Sequence, residues 1–174
     1  MAAHFELYIG QGPLLEASRR KIGIVKGVQA YRWYTVEATG RACHTGTTDF
    51  GNRADPLLAA AKMVLQSHRL ATAHAALALT GILNLKPGST NTVLEAQIVV
   101  DFEKAAVGEG VGSLNESVTK GRPCSVKITT DSVSSAVWFH PDCIKAVTEA
   151  AVPALGLDSG ELTQEMVSGA GHEG

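Results

Sequence analysis

The run Gly40-Arg41-Ala42-Cys43-His44-Thr45-Gly46-Thr47-Thr48 sets one histidine among small and hydroxyl-bearing residues. Small residues let a backbone close on a ligand, and an imidazole at the mouth of such a loop can polarise a carbonyl or hold a proton. The same residues also allow a plainer arrangement, in which His44 hydrogen-bonds to the backbone of Thr47 or Thr48 and only holds the loop. Cys43 stands beside His44. Adjacent positions of an extended chain point apart, so the two do not read as a thiol nucleophile with its base.

The elements that must position this loop can be traced from periodicity. Tyr34, Val36 and Ala38 alternate with Trp33, Thr35, Glu37 and Thr39, which predicts a half-buried strand over 32–39. After the loop, Asp55 is placed to cap a helix with Pro56 at its first position. Leu57, Leu58, Ala61, Val64 and Leu65 then recur at helical spacing, giving a helix over 56–69. Leu77, Leu79, Leu83 and Leu85 alternate around Gly81 and stop at Pro87-Gly88, and Ala96, Ile98, Val100 and Phe102 alternate after them. Val107, Val111, Leu114 and Val118 predict a glycine-weakened helix over 104–120, and Cys124, Val126 and Ile128 a further strand. The order strand, helix, strand, strand, helix, strand is the ferredoxin-like split β-α-β pattern. It predicts an α+β fold with a four-stranded antiparallel sheet and two helices on one face.

The flanks fall outside that unit. Phe5–Ile9 and Ile22–Val25 read as short strands, Pro141 opens a helix whose Ile144, Val147, Ala151 and Leu155 share a face before Gly156, and Met166–His172 reads as a strand entering a glycine-rich loop. With 174 residues, the chain has room for one domain, or one domain and part of another. A net charge of -2 without a basic stripe gives no case for nucleic acid or an anionic membrane as partner. The chain shows neither a signal-peptide pattern nor an apolar run of membrane-spanning length, and it reads as a cytoplasmic protein. Its three cysteines are too few and too scattered for a disulfide framework or a zinc cluster.

Several islands in order resemble one family across nearly the whole chain. They are Phe5–Glu16 with its Tyr8-Ile9-Gly10-Gln11-Gly12-Pro13, Ile22-Gly23-Ile24-Val25, Arg32-Trp33-Tyr34, His44-Thr45-Gly46-Thr47-Thr48, Asn91 and Ser168-Gly169-Ala170-Gly171-His172. These are similar to binuclear-metal amidohydrolases related to exopeptidases, such as N-carbamoyl-L-amino-acid hydrolase, beta-ureidopropionase and allantoate amidohydrolase. The resemblance implies an α/β catalytic domain interrupted by a smaller lid that also dimerises. Residues 31–132 then correspond to the lid, and 1–30 and 133–174 to strips of the catalytic domain, as in a truncated fragment.

In that family, zinc or manganese ions held by His, Asp and Glu activate water for cleavage of a carbamoyl or amide carbon–nitrogen bond. Most of those ligands correspond to positions before residue 1 or after residue 174, so no cofactor is expected for this chain. The metal histidine of the family's His-Ile-Glu-Gln-Gly-Pro motif is matched by Tyr8, and its glutamate by Gly10. A phenol is a far poorer ligand than imidazole at neutral pH. His44 matches the lid histidine that reaches the substrate carbonyl and stabilises the oxyanion, in some members across the dimer. Gln11, Asn91, Gly169, Ala170, Gly171 and His172 match substrate-side positions, although Asn91 is equally a turn former. The family's Asp-x-Arg reads Asp101-Phe102-Glu103 here, and Glu173 replaces an aspartate after His172. A carboxylate in place of a guanidinium repels an anionic substrate.

The resemblance therefore implies a fragment of a carbon–nitrogen hydrolase for ureido or amide compounds, inactive alone and homodimeric through its lid. The alternatives are a subunit completed by another chain, or a non-catalytic interaction module.

Overall fold

A computed structural model describes residues 3–10, 12–103, 124–156 and 162–168. In chain order the elements are α1 (Leu14–Ala17), β1 (Ile22–Val28), β2 (Tyr31–Thr39), a 3-10 turn (Phe50–Asn52), α2 (Pro56–Ala73), β3 (Leu77–Lys86), β4 (Glu95–Glu103), β5 (Ser125–Ser134), β6 (Val137–Trp138), α3 (Pro141–Leu155) and β7 (Leu162–Ser168). They form two compact units, one of Ala30–Ser135 and one of Met1–Gln29 with Ala136–Gly174.

Alternation builds the sheet of the first unit. Tyr34, Val36 and Ala38 of β2 face the same side as Val100, Ile98 and Ala96 of β4, their antiparallel partners in register, and all six are buried. β5 joins the other side of β2, and β3 the other side of β4. The resulting antiparallel order β3-β4-β2-β5 is the split β-α-β arrangement that the element order predicts. One of its two expected helices, α2, packs on this sheet. The other, expected over 104–120, lies outside the described residues.

Asp55 caps α2 as expected, its carboxylate accepting from the Leu57 and Leu58 N–H groups at 3.0 and 3.2 Å. The face that α2 buries is not the leucine stripe. Pro56, Ala59, Ala60, Met63, Ser67 and Ala71 are buried, whereas Leu58 and Leu65 remain 51% and 60% exposed. Both stripes keep helical spacing, and the small residues win because they let the helix come close to Phe102, Ile98 and Val100. The leucines are left on the outer surface. A second correction concerns β3, where Leu77, Leu79, Leu83 and Leu85 do not share a face. The register slips by one between Thr80 and Ile82, so Gly81 is a bulge. Leu79 therefore sits opposite Asp101 and is exposed, while Leu85 sits opposite Ala96 and packs on the core.

In the second unit β1 pairs antiparallel with β6 and parallel with β7, and α3 packs on β1. The His140 ring caps α3 by accepting from the Asp142 N–H at 3.2 Å, and Gly156 ends it at φ 60, a left-handed conformation suited to glycine. The Phe5–Ile9 strand is not formed. Residues 3–10 carry no regular structure, and Leu7 is 95% exposed. An extended apolar run becomes a strand only with a neighbour to bond, and among the described residues none pairs with it.

The chain leaves β2 at Gly40, whose N–H bonds to Leu94 O at 2.9 Å, while the Arg41 N–H bonds to Ala54 O at 3.0 Å. A Cβ at residue 40 would collide with the Ala54 carbonyl and the Pro56 ring. Gly40→Ala is expected to lower stability by about 2 kcal/mol, since the clash is with backbone and a proline ring that cannot swing aside. Asp55→Ala is expected to cost about 1 kcal/mol through loss of the cap. Urea denaturation followed by far-UV circular dichroism checks both, and a smaller loss for Gly40→Ala than for Asp55→Ala would contradict the tight approach.

Candidate functional site

Residues 41–54 form a loop whose ends meet at the Arg41–Ala54 hydrogen bond. A turn that simple periodicity missed closes its second half. Asp49 caps the Phe50–Asn52 turn by accepting from the Asn52 N–H at 2.9 Å, and the Arg41 guanidinium donates to Asn52 O at 2.7 Å. The first half lies against the segment between β3 and β4. Cys43 and Thr92 form an antiparallel bridge, with the Thr92 N–H on Cys43 O at 3.3 Å and the Cys43 thiol 3.1 Å from the Thr92 hydroxyl.

That contact brings His44 and Asn91, the two lid residues singled out by resemblance, onto adjoining loops. The Asn91 side-chain oxygen accepts from the Thr45 N–H at 3.1 Å and from the Thr45 hydroxyl at 3.3 Å. Asn91 is itself set in its turn by an N–H bond to the Ser89 hydroxyl at 3.0 Å. The amide oxygen of Asn91 is thus committed to the loop, which leaves its NH2 group as the end able to meet a ligand. The His44 ring bonds to neither Thr47 nor Thr48. Its Nδ1 accepts from the Gly46 N–H at 3.1 Å. An accepting Nδ1 places the proton of the neutral ring on Nε2, so His44 presents an N–H donor outward. His44 is exposed and free to offer it.

The other expected site residues separate. Glu103 is paired with Tyr31 at one end of the sheet, and Glu95 with Thr39 at the end that leads to His44 and Asn91. Eight residues of strand put those ends roughly 27 Å apart. Tyr8 is 57% exposed on the irregular segment 3–10. Gln11, Gly169, Ala170, Gly171 and His172 lie outside the described residues. Among the described residues no three His, Cys, Asp or Glu side chains gather as metal donors. With a phenol at the matching histidine position, the donors among the described residues do not fit a divalent ion. Burial, aided by the Asp55 carboxylate, pushes the Cys124 thiol up from its ordinary value, which leaves less of the nucleophilic thiolate.

Arg53 and Thr45 carry no sequence signal of the part they play. Arg53 Nε donates to Thr48 O at 2.8 Å and its Nη2 to Thr45 O, while its guanidinium lies 4.7 Å from the centre of the Phe50 ring. Nothing in the spacing of a lone loop arginine points to carbonyls five and eight residues earlier.

No family model matches the chain. N-carbamoyl-L-amino-acid amidohydrolase of Paenarthrobacter aurescens is 33% identical over 183 residues, 99% of this chain and 43% of that protein. Allantoate amidohydrolase of Bacillus subtilis is 30% identical over 181 residues, with the same shares of the two chains. Among solved structures, a hydantoinase/carbamoylase family amidase of Burkholderia ambifaria superposes with a TM-score of 0.76 at 36% identity, covering 95% of this chain and 41% of that one. The chain thus spans about two fifths of the length of the relatives it matches. By sequence and by fold together, it is homologous to that portion of the hydantoinase/carbamoylase-type amidohydrolases.

Proposed function

We propose that the chain supplies the lid of an amidohydrolase for ureido or amide compounds, with His44 as the donor to the substrate carbonyl. The observation that carries this is the Gly46 N–H bond to His44 Nδ1, on a loop tied to Asn91. As a nucleophile adds to a carbamoyl carbon, negative charge gathers on the carbonyl oxygen. An Nε2–H already aimed outward stabilises it without reorganising, an effect of about 3 kcal/mol for one such donor. The Asn91 NH2 group supports the substrate side of the same opening. The water-activating donors do not come from the described residues of this chain, so no hydrolysis is assigned to it alone. The three free cysteines support a reducing compartment, and we place the protein in the cytoplasm.

The exposed leucines support a second part of the proposal, a homodimer through the lid. Leu58 and Leu65 of α2 and Leu83 of β3 are all at least half exposed, and β3 is an edge strand of the four-stranded sheet. A two-fold pairing of such edges buries the leucines and satisfies free strand backbone in one step.

Incubated with N-carbamoyl-L-amino acids, the purified chain is expected to release no ammonia above buffer. Mixed with a carbamoylase whose own lid histidine is replaced by alanine, it is expected to restore turnover, and its His44→Ala variant to restore about 100-fold less or lower. Turnover by the chain alone, or equal restoration by both forms, overturns the proposal. For the dimer, light scattering at high micromolar concentration should give twice the chain mass, and Leu58→Lys with Leu65→Lys should halve it. A monomeric unaltered chain counts against the lid pairing.

A further inference from the structure

We infer that Arg53 is a positioning residue for His44, acting through the backbone of the loop rather than on a ligand. This rests on the proposed donor role of His44 for its purpose, but not for its geometry. Thr45 follows His44 directly, and all three of its polar groups are engaged. Its N–H and hydroxyl go to the Asn91 side-chain oxygen, and its carbonyl accepts from Arg53 Nη2. Arg53 Nε reaches Thr48 O at 2.8 Å from the same planar fork. One guanidinium therefore spans the turn Thr45–Thr48, which contains the Gly46 N–H that caps His44 Nδ1. The two carbonyls are fixed relative to each other because the donors that hold them are fixed in one rigid plane.

The guanidinium is itself held. It lies 4.7 Å from the centre of the Phe50 ring, on the 3-10 turn that Asp49 caps. Phe50 is 85% exposed, so burial of the phenyl ring does not account for its place, whereas a face for the Arg53 cation does. The loop is thus clamped from two directions, by Asn91 on the sheet side and by Arg53 from within. The ring orientation and the Nε2–H tautomer of His44 follow from a turn that does not need substrate to form.

The test reads His44 directly on the full chain, without substrate. With 15N-labelled histidine, NMR should show the His44 ring as a single Nε2–H tautomer, and Gly46 and Thr45 should exchange their amide protons slowly. Arg53→Gln is expected to move the ring nitrogens toward the averaged tautomer mixture of free histidine. It should also speed Gly46 exchange about tenfold or more, the loss of one charge-assisted hydrogen bond, while β4 amides keep their protection. Arg53→Lys should behave like Arg53→Gln, because a single ammonium cannot span both carbonyls. Wild-type ring resonances and exchange in either variant overturn the inference. Should Arg53→Gln fail to fold, Phe50→Leu removes the aromatic face at an exposed position and must speed Gly46 exchange in the same direction; no change there overturns it equally. Loss of the His44 tautomer without any catalytic complementation sinks the lid proposal and leaves this one standing. Complementation with an unaltered His44 signal does the reverse.

Discussion

Everything about the His44 loop depends on the close approach of Ala54–Pro56 to Gly40. Where β2 ends, the chain needs room for another backbone against its own, and only a residue without a side chain leaves it. That contact returns the chain to its point of departure before α2 begins, so residues 41–54 form an excursion with closed ends and not an open tether. Because the excursion starts at the end of β2 and β2 is paired with β4, it lies beside the β3–β4 connection. The His44 loop meets Asn91 through Thr45 for this reason, although 46 residues separate these two partners along the chain.

Local rules were enough for the parts of the fold that rest on one periodicity. Tyr34, Val36 and Ala38 announce the buried side of β2, and Asp55-Pro56 announces the start of α2. They were insufficient where two patterns compete. On α2 the leucines and the small residues both keep helical spacing, and hydrophobicity alone selects the larger ones. Distance of approach to the sheet selects Ala59, Ala60 and Met63 instead. On β3 the leucines keep one spacing on both sides of Gly81, so their alternation does not show the change of face, and the glycine that interrupts it is the one local mark of the looped-out residue. The Phe5–Ile9 run failed for a third reason, because strand propensity without a partner makes no strand.

The site was legible in the same uneven way. Glycine, threonine and histidine together marked the loop, and the resemblance marked Asn91, but the bond between them comes from tertiary register. Arg53 was invisible since its partners are backbone carbonyls, which every residue possesses and no sequence pattern distinguishes. Asn91 changed its meaning most. Its oxygen holds the neighbouring loop through Thr45, a task that neither alternative left by the sequence describes, and its NH2 group is left for the substrate-side role we propose.

The bulge at Gly81 has a consequence for how variation along β3 can be tolerated. The strand consists of two segments in opposite phase, one carrying Leu77 and Leu79 outward and the other carrying Leu85 inward. A one-residue deletion at Gly81 would remove only the looped-out residue and keep Leu77 and Leu79 outside and Leu85 inside in one regular ladder, whereas deletion of Leu83 with the bulge kept would turn Leu85 out and Asn84 and Lys86 toward the core. Point substitutions at the bulge and loss of the looped-out residue itself both keep these faces, whereas a change of length within either paired segment turns the residues beyond it over. The strand thus acts as a reading frame for the sheet, with Gly81 as the position at which the frame changes.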